Sequence, residues 1–351
     1  MKEQPPQDID KPVLSGAENV AKSIGSRACA LFDRRPGYEA HAEMTWAYER
    51  SLEQEELAKQ YLKDGNETRA DEHQAASDSE LAKAAQIVFQ EIYGNKLLAR
   101  GLPDVIFATV SCIPSIAKAL AQGETPDHAG KRNESMMRVF GMLFDPDSNK
   151  FDRGIATMRH IGAHISADPN DMKFVFDTIL VSDYKLRQRS HIPEVDEMEQ
   201  TIAIKQWSRI AKAMGVDTFD SARTIDEIEH DFDAYYLEHA KPTAEGKRVT
   251  GALQEDFANI FGASGTYAHA IGKDAFAALL PGPESDNDVR RDSAREMLGV
   301  AEPRKVTAWL VRTAYALYAA TANIRPMKRY PWSEIGNTTK PPRTQPMHDV
   351  L

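Results

Sequence analysis

Two histidines one helical turn apart, His160 and His164, stand in the phrase IATMRHIGAHISADPND. On a helix, HxxxH puts both imidazoles on one face, a spacing that suits a metal ion. A metal site needs a third ligand. The nearest acid, Asp168, precedes Pro169 and reads better as an N-cap. Two readings therefore stand side by side: a metal-binding pair, or ordinary polar residues of a helix. Four arginines flank this stretch, Arg132, Arg138, Arg153 and Arg159. Guanidinium groups here can clamp the carboxylates of a bound group, although a surface position is the default for any one of them. The next segment, DPNDMKFVFDTILVSDY at 168–184, opens with cap chemistry and continues as an apolar helix that has to be buried. Asp177 lies inside it. A buried carboxylate needs a partner, so the expectation is that Asp177 points to solvent.

Other chemical signatures are missing. There is no GxxxxGK[ST] loop, no GxGxxG after a strand, no GxSxG elbow and no HExxH. The two cysteines, Cys29 and Cys112, are far apart, which excludes a cysteine-based zinc site and a disulfide framework and fits a reducing compartment. A formal net charge of −10, with Lys and Arg scattered among acids, argues against a nucleic-acid partner. The first residues, MKEQPPQDIDK, hold no apolar run of the kind a signal peptide needs. The most apolar stretch, VIFATVSCIPSIA at 105–117, falls short of the about 18 residues of a membrane span and contains Pro114. A buried core helix is expected there, with no stable membrane span and a cytoplasmic location.

The elements that must hold these residues are helices. Residues 47–93 form a highly charged helical stretch, with Gly65 and Gly94 where C-terminal caps belong and Glu–Lys neighbours suggesting a solvated face. Apolar residues recur at helical spacing over 194–214, from Val195 through Trp207 to Met214, and Gly215 follows as a stop. The same holds for 225–239, and further helices fit 249–261 and 303–322. Strict alternation and fixed-period repeats are absent. Residues 1–15 and the proline-rich 326–351 read as polar tails. The expected fold is all-α, a multi-helix single core with polar N- and C-terminal tails.

Read in order, several segments resemble one family. They are PDVIFATVSCIPSIAKALAQG, KRNESMMRVFGMLFDPDSNKFDRGIATMRHIGAHI, NDMKFVFDTILVS, EMEQTIAIKQWSRIAKAMGV, FDAYYLEHAKPTAEGKRV and the later DVRRDSAREMLGVAEPRKVTAWLVRTAYAL with RPMKRYPW. Together they look like the catalytic domain of the MpaB/rubber-oxygenase (latex-clearing protein) family, by pattern over roughly residues 95–332. The resulting division is 1–94, a polar tail and charged N-terminal helices; 95–332, the family-like domain; and 333–351, a proline-rich tail. The resemblance implies a partly globin-like helical fold around haem b. It also implies O₂-dependent oxidation of a hydrophobic, isoprenoid-like substrate, in which the cofactor oxidises and the protein sets ligand, polarity and access.

Carried over residue by residue, the family's distal arginine falls on Arg132 in KRNESM, with Ser135 and Met136 near its threonine position. The proximal histidine falls on Gly162. His160 and His164 are each two residues away, about 200° around a helix. Residues 105–123 hold no carboxylate to match the glutamate of some rubber oxygenases. Three readings follow. The first is a haem-dependent oxygenase with the helix shifted to bring His164, or else His160, to iron. The second is a non-catalytic helical protein whose degenerate haem pocket takes a small hydrophobic ligand or a partner. The third is a non-haem metal enzyme built on His160 and His164.

Overall fold

The computed structural model describes residues 38–93, 96–123, 125–165, 168–189, 196–260, 266–280 and 295–303. Both tails, the Gly94 cap and all but the first residue of the expected 303–322 helix lie outside them. The described residues form α1 (Tyr38–Lys63), α2 (Glu67–Tyr93), α3 (Lys96–Val110), α4 (Pro114–Gln122), α5 (Thr125–Leu143) and α6 (Ser148–Ile165). They continue as α7 (Pro169–Arg189), α8 (Glu197–Met214), α9 (Ile225–His239), α10 (Ala244–Ile260) and α11 (Thr266–Leu279), with one helical turn at 295–298. No strand occurs among the described residues, and the fold is all-α.

The helix ends follow from local chemistry. Asp196 and Glu199 form a reciprocal capping box at α8, as Thr224 and Glu227 do at α9. Gly215 closes α8 at φ 81°, a left-handed conformation that glycine adopts without a Cβ penalty. Asp168 caps α7, its Oδ1 accepting the Asn170 amide at 2.7 Å. Helix α10 begins at Ala244, five residues before the apolar signal at 249, because the Thr243 hydroxyl accepts the Gly246 amide at 2.9 Å. The expected single helix over 105–117 is two. Pro114 has no N–H to continue the ladder and instead starts α4. The break is satisfied locally: the Cys112 amide donates to Thr109 O, and Cys112 O accepts the Lys241 amide at 3.0 Å.

Trp207 of α8 organises one half of the core. Phe140 of α5 and Phe144, just past its end, meet its ring edge-on, each with centroids 5.3 Å apart, and Phe176 of α7 lies at 5.8 Å. A second aromatic group joins α7 to α9, where Phe174 stacks on Phe232 at 5.2 Å. The charged N-terminal helices are not merely solvated, since Met44, Ala47, Leu81, Ala85, Val88 and Phe89 belong to the same core. Arg209 of α8 fastens this hairpin to the rest. Its Nε meets Asp78 of α2 at 3.0 Å, while its guanidinium lies 3.8 Å over the Phe151 ring of α6.

Candidate functional site

The residues singled out above fall on the α5–α6 hairpin and on α7. The four-residue connection of the hairpin is tied by an ion pair between Lys150 and Asp145 at 2.8 Å and by the Asp147 carboxylate, which accepts the Asn149 amide. So short a link makes the helices antiparallel. Gly154 sets their register: a Cβ there would lie 2.9 Å from Leu143 Cδ2 and 3.2 Å from Met142 Cβ. Arg132 lies eleven residues before Leu143, and Ile165 eleven after Gly154. Arg132 is therefore level with the last turn of α6, the turn that holds Gly162 and His164.

On α6 the buried positions are Phe151, Gly154 and Ile155, with Met158 packed against the core, while Asp152, Arg153, Ala156, Arg159 and His160 are exposed. His160 thus faces outward. Gly162 is four residues past Met158 in the chain, and His164 four past His160. Side chains 161–167 are outside the described set. Among the described residues no three His, Cys, Asp or Glu are grouped as a metal would need.

The flanking arginines have separate roles. Arg159 donates through Nε, at 3.0 Å, and Nη2, at 2.5 Å, to Ala213 O in the last turn of α8, a helix C-terminus that favours a cation. Arg153 donates to Asn149 O, and Arg138 pairs with Glu134 on the surface at 3.8 Å. Arg132 alone is half-buried, with Nη1 3.6 Å from where a Gly123 Cβ would stand. Its neighbour Asn133 is buried and donates to Asp104 of α3 at 2.5 Å. Asp104 stands one position before the carboxylate-free 105–123 stretch. The acid at the head of the most apolar run was the signal that could have found it.

Asp177 does not point to solvent. It is 2% exposed and is held by Lys173 Nζ and Arg223 Nη1, both at 2.9 Å. Burial raises its carboxyl, and the two cations oppose that without cancelling it. The same two cations also reach Asp231 of α9, at 2.9 and 2.7 Å. Further polar links join α7 to its neighbours. Asp171 accepts from Ser115 of α4 at 2.5 Å and from Tyr235 of α9 at 2.7 Å. Lys185, fully buried, meets Glu229 and Asp233 of α9. The polar residues of α7 that sequence reading missed hold helices together.

Between α2, α7 and α8 runs an apolar cleft. Phe89, Phe144 and Trp207 form its aromatic wall, Ile179 and Leu180 its aliphatic side, and Asp183, Tyr184 and Gln200 bring polar atoms to it. Its cavity volume is about 50 Å³, and with the open mouth the cleft takes in about 580 Å³.

No protein-family model matches the chain, and no curated protein matches it. The haem expectation accordingly rests on residue geometry. A haem needs an axial ligand beside a slot for its ring. Among the described residues the cleft walls carry no histidine, its cavity is small, and His160 faces outward. His164, the first-choice axial ligand, lies outside the described side chains.

Proposed function

We propose that this chain is a helical binding protein that takes the end of a small hydrophobic molecule into the cleft between α2, α7 and α8. The observation that carries the reading is the make-up of that cleft, an aromatic and aliphatic wall with a few polar groups, which is how small-molecule sites are built. A cavity of about 50 Å³ takes a short hydrocarbon terminus, with the remainder of the ligand in the open mouth. A prenyl or alkyl chain with a polar head has that shape. The test is titration of the full chain with farnesol and with a straight-chain alkanol, followed by tryptophan fluorescence, with Trp207→Phe as the control for signal origin. Ala203→Phe fills the cleft and should abolish the change. A titration that Ala203→Phe leaves untouched defeats the proposal.

A haem-dependent oxygenase is the second reading, favoured by the hairpin register that sets Arg132 level with the turn of Gly162 and His164. It calls for a Soret band in freshly purified protein that His164→Ala abolishes. Protein that folds and stays colourless with excess haem removes this reading and leaves the first in place.

A further inference from the structure

The Asp104–Asn133 contact joins α3 to α5 one residue from Arg132. Both side chains are buried, Asp104 at 0% and Asn133 at 4% exposure. Asn133 Nδ2 donates to Asp104 Oδ1 at 2.5 Å. The other two oxygens of the pair, Asp104 Oδ2 and Asn133 Oδ1, are also buried and have no hydrogen-bond partner among the described residues. Two orphaned acceptors on residues already in contact are costly, and a carboxylate with only one hydrogen bond in this core is costlier still. A single proton removes both defects. Placed on Oδ2, it lets Asp104 donate to Asn133 Oδ1 while accepting from Asn133 Nδ2, the two-bond ring that a carboxylic acid and a primary amide form.

We propose that Asp104 is held as a neutral carboxylic acid in this acid–amide pair, and that the pair is a proton-operated latch between α3 and α5. Loss of the proton to solvent leaves two oxygen acceptors facing each other, so the latch opens and the turn carrying Arg132 is released. The neighbouring groups favour the closed form. Helix α5 contributes Asn133, and α10 contributes Asp256, whose Oδ1 would lie 2.5 Å from a Cβ on Gly130. Burial first, then the negative charge of Asp256, push the Asp104 carboxyl well above its usual range, against the Asn133 hydrogen bond. From α2 and α7, which also pack on α3, no charged group among the described residues acts on it.

The sign of the pH effect follows. A carboxyl raised in the folded state stabilises fully below its unfolded value, and that stability is lost as pH rises through the folded value. Urea unfolding of the full chain against Asp104→Asn, which retains an amide–amide pair, is the test. Starting near about pH 4, the unfolding constant of wild type should rise relative to the variant by roughly tenfold per pH unit until the folded group titrates. Infrared spectra of wild type at neutral pH should also show a protonated-carboxyl C=O band that the variant lacks. A pH-independent gap with no band lost overturns the proposal, as does stability that depends on calcium or magnesium and is removed by a chelator. If Asp104→Asn does not fold, Asp104→Leu, which needs no partner, takes its place in both measurements.

Discussion

Lys185 Nζ lies 2.9 Å from Glu229 Oε1 and 3.1 Å from Asp233 Oδ1, with the lysine side chain shut off from solvent and both acids at the surface of α9. The Phe232 ring, 5.4 Å away, supplies a third favourable face. The cation is thus buried while its partners still reach water. Lys185→Ala should cost about 3 kcal/mol in urea unfolding, because it opens a cavity and removes the buried cation that Glu229 and Asp233 face. Adding Glu229→Gln and Asp233→Asn should recover part of that loss. A Lys185→Ala cost under about 0.5 kcal/mol would mean the ammonium group is no anchor.

The Lys173–Arg223 pair gives Asp231 the opposite pH behaviour to Asp104. Burial is the largest single influence and raises the Asp231 carboxyl, but the hydrogen bond and charge of Lys173, with the charges of Arg223 and His230, together outweigh it, so the net shift is downward. A depressed carboxyl contributes stability above its unfolded value, near about pH 4, and loses it as pH falls through the folded value. Asp231→Asn should therefore be less stable than wild type at neutral pH, with the gap closing on acidification. Denaturation midpoints at stepped pH measure it, and a gap that widens in acid refutes the pairing.

Trp207→Ala should destabilise by roughly 3–5 kcal/mol and Phe176→Ala by roughly 2–5 kcal/mol, because both truncations empty one aromatic nest. The two side chains touch, so their double variant should cost less than the sum. Strict additivity in equilibrium unfolding would place them in separate surroundings.

Gly246→Ala tests the seam between α10 and the link from α3 to α4. A Cβ there would stand 2.6 Å from the backbone oxygen of Ser111, which cannot rotate away. A cost of about 1–3 kcal/mol is expected from the forced separation. Gly251→Ala on the same helix meets nothing within 4 Å and should be neutral or slightly stabilising. Thermal melts of the pair decide it, and equal effects would contradict the close approach.

Helix existence was readable wherever apolar spacing met a cap, as at 225–239 and at the Gly215 stop. Starts set by a hydroxyl, such as Thr243, carry no periodic signal, which is why α10 was read five residues short. The break before Pro114 was visible as a proline but was absorbed into one apolar run. Asp177 and Asp104 were misjudged or passed over for a common reason. Lys173, four residues before Asp177, was a local mark, but Arg223 and Asn133 lie 46 and 29 residues from their acids, and distant pairing leaves none. On α6 the outward position of His160 is described, while the side chains from 161 onward lie outside the described residues.

Arg209 reaches Asp78 across 131 residues of chain and rests on Phe151, so α8 is where two hairpins separately close in sequence are brought together. The α1–α2 and α5–α6 hairpins need only short-range contacts and can form early, whereas their docking on α8 must wait for long loops to close. The arrival of α8 is then expected to be the late event of folding. Substitutions at Arg209 should accelerate unfolding and leave the refolding rate nearly unchanged, the kinetic mark of a contact made after the barrier has been crossed.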